Sequence, residues 1–446
     1  MTPSAVDLCR AANDALAADD EAREATWPGP VTWRQPIHTV YVPAEQFHAG
    51  LVDEWGAAAR EVWRRHGGGA AGVARLLDIE AGLAGEVADL VDAKLAAEPI
   101  EDLRIDFEDG FTQAGVAPGD RDADEDARVD DAVAAIAAIA DHRRSVSGTG
   151  AESGSGPAAF WGIRFGSFDA ATRDRGISTL ARFLTGLRAA GVRPEPRELR
   201  LTLPKVTSIA QVEAFVRVLE AIEAEDAGTE KAAPNNAARH GFEIQVETPQ
   251  SIIGADGSSP LPGMITAGRG RVLALHYGTY DYSAYLGIAA ADQAMDHPAA
   301  DHAKDIMQAA AAGREVEISD GSTNRLPVGA RDGIRIGWTV HGHLVRRHLA
   351  RGIWQGWDLH PHQLPTRFAA TYAYFRMRTP ETLDRLDAYL SGRHGAFADE
   401  PATAKALASF LSRAVDCGAI TGAELRRSTG LEHGELAHIA RYGDTP

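Results

Sequence analysis

The chain has 446 residues, of which 44% are hydrophobic and 24% charged, a composition typical of a globular protein rather than a disordered one. Its 63 acidic and 45 basic side chains give a formal net charge of −18, which repels nucleic acid phosphates and anionic lipid headgroups. We therefore expect no nucleic acid and no membrane as partners. A small anionic substrate needs a local positive site, such as a bound cation, to enter against this field.

Two features bear on the compartment. The cysteines, Cys9 and Cys417, form no Cys-x-x-Cys pair, which fits a reducing environment. The N-terminal segment lacks a basic start followed by an apolar run, and nowhere do about 18 uncharged apolar residues follow one another. We expect a cytoplasmic protein.

Short β-branched or aromatic segments alternate with longer alanine-rich stretches of helical periodicity. They cover residues 37–42, 103–107, 160–165, 199–203, 242–247, 271–277, 315–319 and 353–359. This alternation predicts βα units, and eight strands fit an α/β fold of the TIM (β/α)8 barrel type, although an open doubly wound sheet gives a similar local pattern. We predict a barrel at 37–365, an N-terminal helical lead-in at 1–36 and a helical C-terminal extension at 366–446.

Helices and loops are predicted between and after these strands. The clearest helix covers residues 211–224, whose apolar positions repeat every three or four residues. Short helices are predicted in the extension at 368–377, 380–391, 401–417 and 421–428. Residues 145–157 and 225–239, rich in Gly, Ser, Asn and charge, are predicted surface loops.

The chemistry of a TIM barrel lies at the carboxyl ends of its strands, so polar residues there are candidates for function. Reactive side chains follow strands two to six and strand eight. They are Asp106-Phe-Glu108-Asp109-Gly110, Arg164, Pro204-Lys205, Glu247-Thr248-Pro249, His276 to Asp281, and Asp358-Leu-His360-Pro361.

The strand-end segments DFEDG, LPK, VETP, LHYGTYDYSAYLG and LHPHQL occur in this order between Ile37 and Leu364. Together they resemble the motifs of the HpcH/HpaI aldolase and citrate lyase β-subunit superfamily, which includes malyl-coenzyme A lyase-like proteins, and DFED also resembles malate synthase. The resemblance implies a Mg²⁺ ion, or Mn²⁺ in its place, bound by Glu247 and Asp281.

The same resemblance implies roles for other residues. Arg164 would grip the substrate carboxylate, for which its planar fork is suited, and Asp106 and Glu108 would shape the site beside the metal. Lys205 would also belong to the catalytic set. We further expect four strand-end residues to contact substrate, namely Thr248, Pro249, His360 and Pro361.

Each of these residues has a plainer interpretation. Asp281 alone could be a helix N-cap or ion-pair partner, Arg164 could pair with Asp106 or Glu108, and Lys205 could bridge to a strand-two carboxylate instead of forming a Schiff base. We interpret Asp109 as a turn residue because Asp-Gly pairs commonly leave strands that way. The pairs His341/His343 and His360/His362 lack a nearby third ligand, so we do not predict zinc.

The function expected is Mg²⁺-dependent aldol or Claisen-type carbon–carbon cleavage or condensation of a small 2-oxo or hydroxy carboxylic acid. Its coenzyme A thioester is an alternative substrate, although no motif assignable to coenzyme A is present. Two other functions stay open: a phosphoenolpyruvate- or pyruvate-utilising barrel enzyme, and a non-catalytic regulatory protein that binds metal and a 2-oxo acid. The helical tail leads us to expect a homo-oligomer.

Overall fold

The computed structural model describes residues 4–146, 156–227, 239–393 and 400–445. The loops predicted at 145–157 and 225–239 therefore lie largely outside the described residues. Residues 145–146 and 225–227, which are described, continue the preceding helices and are not loop residues as predicted.

Parallel strands form one sheet in the order β7-β6-β5-β4-β3-β2-β1-β8. They are β1 His38–Pro43, β2 Asp102–Asp106, β3 Phe160–Arg164, β4 Arg200–Leu203, β5 Gly241–Val246, β6 Val272–Tyr277, β7 Glu317–Ser319 and β8 Gly356–Asp358. Each strand overlaps the segment predicted for it, because runs of β-branched and aromatic residues suit a sheet buried on both faces.

The sheet curves until its first and last strands meet. β8 pairs with β1 at His38 and Gly356, and Gln355 bridges to Ser319 of β7. The Asp320 amide also donates to the Gln355 carbonyl at 2.9 Å. The prediction of a TIM-type barrel is confirmed, and the open sheet is excluded.

Helices surround the barrel. In the described part of the chain they are α1 Ala5–Thr26, α2 Leu51–His66, α3 Gly69–Leu77, α4 Ala81–Ala97, α5 Arg121–Val146, α6 Arg173–Ala189, α7 Ile209–Ala227, α8 Pro249–Ile252, α9 Leu261–Ala267, α10 Thr279–Tyr285, α11 Pro298–Ala311, α12 Arg331–Ala350, α13 Leu364–Leu390, α14 Pro401–Asp416, α15 Gly422–Thr429 and α16 His433–Tyr442. None of these described helices is both long and apolar enough to cross a bilayer.

The predicted apolar stripe of α7 is buried as expected, and its members are Val212, Phe215, Val216, Leu219 and Ile222. The extension differs from prediction in two places. The helices predicted at 368–377 and 380–391 are one helix, α13, which contains Pro380. Burial of most of its first 16 residues compensates for the hydrogen bond that proline cannot make. Helix α16 was not predicted, and it buries Leu436, Ile439 and Ala440.

Ion pairs fill the middle of the barrel. Arg104 Nη2 lies 2.7 Å from Glu243 Oε2, and Thr202 donates to Glu243 Oε1 at 2.6 Å. Burial opposes the ionisation of Glu243, but Arg104 and His276 lower its pKa to about 2. A charged pair in this setting persists only because its hydrogen bonds are satisfied. The barrel is therefore a packed polar core that supports a site at its carboxyl end.

The opposite end of the barrel is closed by residues 27–36. Trp33 Nε1 donates to Glu317 Oε1 at 2.8 Å, and Gln35 Nε2 donates to the Ile318 carbonyl at 3.2 Å. Arg413 of α14 donates to Gln35 at 2.7 Å. These contacts cover the amino ends of the strands.

Candidate active site

The DFEDG segment after β2 is organised by the Asp106 carboxylate. Asp106 Oδ1 accepts from the Glu108 amide at 3.0 Å, and Oδ2 accepts from the Gly110 amide at 2.9 Å. A Cβ at Gly110 would lie 2.4 Å from Asp106 Oδ2, so the motif needs glycine here. Asp106 thus positions its own turn and the side chains that the turn carries.

Arg164, at the end of β3, is locked against Asp106. Its Nε and Nη2 atoms donate to the two carboxylate oxygens at 2.7 Å and 2.6 Å, a bidentate pair. Its Nη1 atom lies 3.4 Å from Gln245 Oε1 and 3.5 Å from Glu108 Oε2. The ion pair considered for Arg164 is present, and Nη1 is the guanidinium nitrogen that Asp106 does not bind.

Glu247 follows β5 and is fully buried. Its Oε1 accepts from the Lys205 amide at 2.8 Å, and its Oε2 accepts from Gln245. Lys205 has a φ of 51°, a left-handed conformation that is strained for lysine and that aims its N–H at Glu247. A Cβ at Gly278 would lie 2.5 Å from Glu247 Cβ, so a glycine is required beside this carboxylate.

Burial is the main reason that the pKa of Glu247 is raised to about 8, and repulsion from Glu108 and Asp281 adds to it. Asp281 lies in the first turn of α10, whose N-cap is Gly278, so the N-cap interpretation of Asp281 is wrong. Burial, and then proximity to Asp109, raise the pKa of Asp281. Glu247 is therefore repelled by the carboxylates of Glu108 and Asp281, which belong to two other strand ends.

The Lys205 side chain enters this cluster. Its Nζ is hydrogen-bonded to Glu108, lies 2.6 Å from Asp109 Oδ2 and is 3.9 Å from Asp281 Oδ1. The bridge to a strand-two carboxylate is thus present. Asp109 is more than the turn residue predicted, because burial opposes its ionisation while Lys205 lowers its pKa. Its place beside Glu108 in DFEDG was the only sequence clue.

The charges at the mouth do not balance. The acidic side chains are Asp106, Glu108, Asp109, Glu247 and Asp281, and the basic ones are Arg164 and Lys205. The excess of acidic over basic groups and the hard oxygen donors suit a divalent cation. Mg²⁺ commonly takes only one or two protein carboxylates, and the assignment of Glu247 and Asp281 as its ligands stays a prediction. In the described part of the chain, no three His, Cys, Asp or Glu residues are arranged as metal ligands.

The residues expected to contact substrate have structural partners. Thr248 Oγ1 donates to the Val206 carbonyl at 2.6 Å, which ties the ends of β4 and β5 together, and Pro249 opens α8. His360 Nδ1 accepts from the His362 amide at 3.1 Å across Pro361, in a 3-10 turn after β8. Burial lowers the pKa of His360 to about 4. Their contact with substrate stays a prediction.

The remaining strand-end candidates serve the packing of the barrel. Asp358 accepts from His38 at 2.8 Å and from Arg367 at 3.0 Å, and His341 Nε2 lies 3.0 Å away, all in buried surroundings. His276 lies beneath the site, with its Nδ1 3.2 Å from Trp357 Nε1.

The fold of this chain is similar to that of several solved structures. A citrate lyase from Burkholderia xenovorans LB400 has a TM-score of 0.52 and 18% identity, over 93% of this chain and 99% of that chain. A magnesium/glyoxylate complex of Haloferax volcanii malate synthase has a TM-score of 0.46 and 14% identity, over 90% and 97%. CitE from Mycobacterium tuberculosis, in complex with magnesium, acetoacetate and coenzyme A, has a TM-score of 0.43 and 16% identity, over 87% and 100%.

The resemblance predicted from the strand-end motifs is confirmed for the fold, in which this chain is similar to the Burkholderia citrate lyase. The chain belongs to the DUF6986 family, described as a domain of unknown function, whose model matches residues 16–443. A comparison with curated proteins found no match.

Proposed function

We propose that this protein is a Mg²⁺-dependent carbon–carbon lyase or aldolase that acts on a small 2-oxo or hydroxy carboxylic acid, free or as its coenzyme A thioester. The observation that carries the proposal is the fully buried Glu247 carboxylate, which lies near the Glu108 and Asp281 carboxylates in a cluster with more acidic than basic groups. Strongly perturbed carboxylates in a barrel mouth are typical of functional sites.

Glu247 and Asp281 would hold the Mg²⁺ ion, with waters and substrate oxygens completing its coordination. A bound Mg²⁺ polarises the carbonyl of a 2-oxo acid and stabilises the negative charge that carbon–carbon cleavage places on its oxygen. The Lys205 amide keeps Glu247 oriented through its 2.8 Å hydrogen bond.

Arg164 would bind the substrate carboxylate through Nη1, the nitrogen that Asp106 does not occupy. Asp106 holds the guanidinium plane still, so the substrate meets a preorganised donor and less entropy is lost on binding. Glu108 Oε2 lies 3.5 Å from Nη1, and Glu108 Oε1 is paired with Lys205. These residues would orient the substrate above the buried polar core of the barrel.

Titration of the purified protein with Mn²⁺, followed by a 2-oxo acid such as glyoxylate, pyruvate or oxaloacetate, tests this proposal. We expect the acid to bind only when the metal is present, and Glu247→Gln to abolish metal binding. Turnover of the acid, with and without coenzyme A thioester partners, would then be followed by product chromatography. Unchanged metal binding in Glu247→Gln would sink the assignment, and binding without turnover would place the chain among regulatory proteins.

We also propose a cytoplasmic homo-oligomer. Helix α1 has no buried residue, and a helix of this length without packing is only marginally stable in water, which supports contact with a second copy. Both cysteines are unpaired, Cys9 on the surface and Cys417 in the core, which supports a reducing compartment. Light scattering on the full chain would test the assembly, and a monomer at micromolar concentration would contradict it.

A further inference from the structure

The Lys205 ammonium lies where the metal site has most negative charge. It reaches Glu108 and Asp109 on the turn after β2, and it lies 3.9 Å from Asp281 on α10. The side chain is 19% exposed, so solvent screens these contacts only in part. A cation is thus already present beside a carboxylate that the metal requires.

The surroundings of Lys205 exclude the common alternative role for a lysine in a barrel. Schiff-base formation needs a neutral amine, usually obtained by burial or by a neighbouring cation. Here the Nζ atom is hydrogen-bonded to the carboxylates of Glu108 and Asp109, which stabilise the ammonium form. Lys205 is therefore a permanent positive charge at neutral pH.

We propose that Lys205 is the internal counter-cation of the metal site, which competes with the divalent ion for Asp281 and thereby sets the affinity for that ion. The inference rests on the proposed function, because it takes Glu247 and Asp281 as the metal ligands. Lys205 acts here as a positioning residue and does not touch the metal.

Asp109 and Glu108 are the second half of this arrangement. When the metal occupies Asp281, the ammonium keeps its hydrogen bonds to Glu108 and to Asp109, the latter at 2.6 Å. The lysine therefore needs only a small movement to release Asp281. Without these two acceptors, the lysine would be left with Asp281 and Glu247, and the metal would face a stronger competitor.

The test is Mn²⁺ binding alone, measured by calorimetry and by the electron paramagnetic resonance signal of free Mn²⁺. Lys205→Met should lower the Kd by about tenfold, since it removes a unit charge about 4 Å from the ligand. Lys205→Arg keeps the charge and should stay within about threefold of wild type. Lys405→Met, on α14, makes the same change in net charge far from the site and should leave the Kd unchanged. An unchanged or raised Kd in Lys205→Met overturns the inference.

Asp109→Asn gives a second, independent measurement. It should raise the Kd more in the wild-type background than in the Lys205→Met background, because only the former contains a lysine to redirect. Equal effects in both backgrounds overturn the inference. If Lys205→Met does not fold well enough to be titrated, Lys205→Gln takes its place in this comparison. Failure of the proposed function looks different: neither wild type nor the Lys205 variants bind Mn²⁺, or Glu247→Gln binds it normally.

Discussion

Replacing Glu247 by glutamine tests whether this carboxylate costs stability in the absence of metal. The side chain is fully buried, and its pKa is about 8 against a usual 4.5. The pKa of Glu247 is higher in the folded than in the unfolded chain, so the free energy of unfolding is highest below pH 4.5 and falls as the pH rises toward 8. At pH 7 the loss is about 2.5 pK units, or ~3 kcal/mol, and at pH 5 it is under ~1 kcal/mol.

Glu247→Gln keeps the shape of the side chain and removes its charge, so the metal-free variant should be more stable than wild type by up to ~3 kcal/mol at pH 7. With an unfolding entropy of about 2.1 cal/mol/K per residue, the 446 residues convert this into a rise in Tm of about 3 °C. The same variant should lose metal binding. The Glu247 carboxylate would thus lower the stability of the metal-free protein while being needed for its function.

Scanning calorimetry in EDTA, from about pH 5 to about pH 9, measures the difference in Tm between the two proteins. The difference should grow with pH and level off above about pH 8. Glu45→Gln, in the exposed turn after β1, is the control for loss of one carboxylate and should show no such trend. A difference that is independent of pH, or a variant less stable than wild type at pH 8, would refute the reasoning.

Three other outcomes are expected. Gly278→Ala should weaken Mn²⁺ binding at least about tenfold, because the added Cβ would lie 2.5 Å from Glu247 Cβ. Gly434→Ala, whose added Cβ would meet nothing within 4 Å, is the control and should leave Mn²⁺ binding unchanged. Equal Kd values for the two variants in calorimetry would contradict this prediction. Arg164→Lys loses the bidentate ion pair with Asp106. It should weaken 2-oxo acid binding at least about tenfold and leave the Mn²⁺ affinity nearly unchanged. Retained affinity for the acid in the same titration would argue against the role given to Arg164. Mn²⁺ affinity should rise about tenfold per pH unit from pH 6 to about 8, since the metal must displace one proton from Glu247. An Mn²⁺ affinity that does not change with pH would show that this carboxyl is already ionised.

Much of the fold could be predicted from local patterns. The strands were recognised because β-branched and aromatic residues in short runs have few other ways to be buried. The single helix across Pro380 could not be predicted, since local rules end a helix near proline and only packing of its first half overrides them. Helix α16 was missed because a short helix depends on its neighbour α14 for stability.

The sequence predicted which residues lie at the candidate site better than it predicted which of them contact one another. The strand-end rule brought Asp106, Glu108, Arg164, Glu247 and Asp281 to one end of the barrel, and their roles stay predictions. Asp109 was interpreted as a turn residue, because nothing local shows that a lysine 96 positions away will reach it.

The sequence by itself determined the number of strands and the side chains that follow each of them, because these depend on short-range periodicity. The closure of the strands into a barrel needed the pairing of β8 with β1. The tertiary structure alone decided that Lys205 faces Glu108 across 97 positions, and that its backbone turns to reach Glu247. It also decided the pKa of Glu247, since a carboxyl responds to the burial and charge that surround it in space, which no local pattern records.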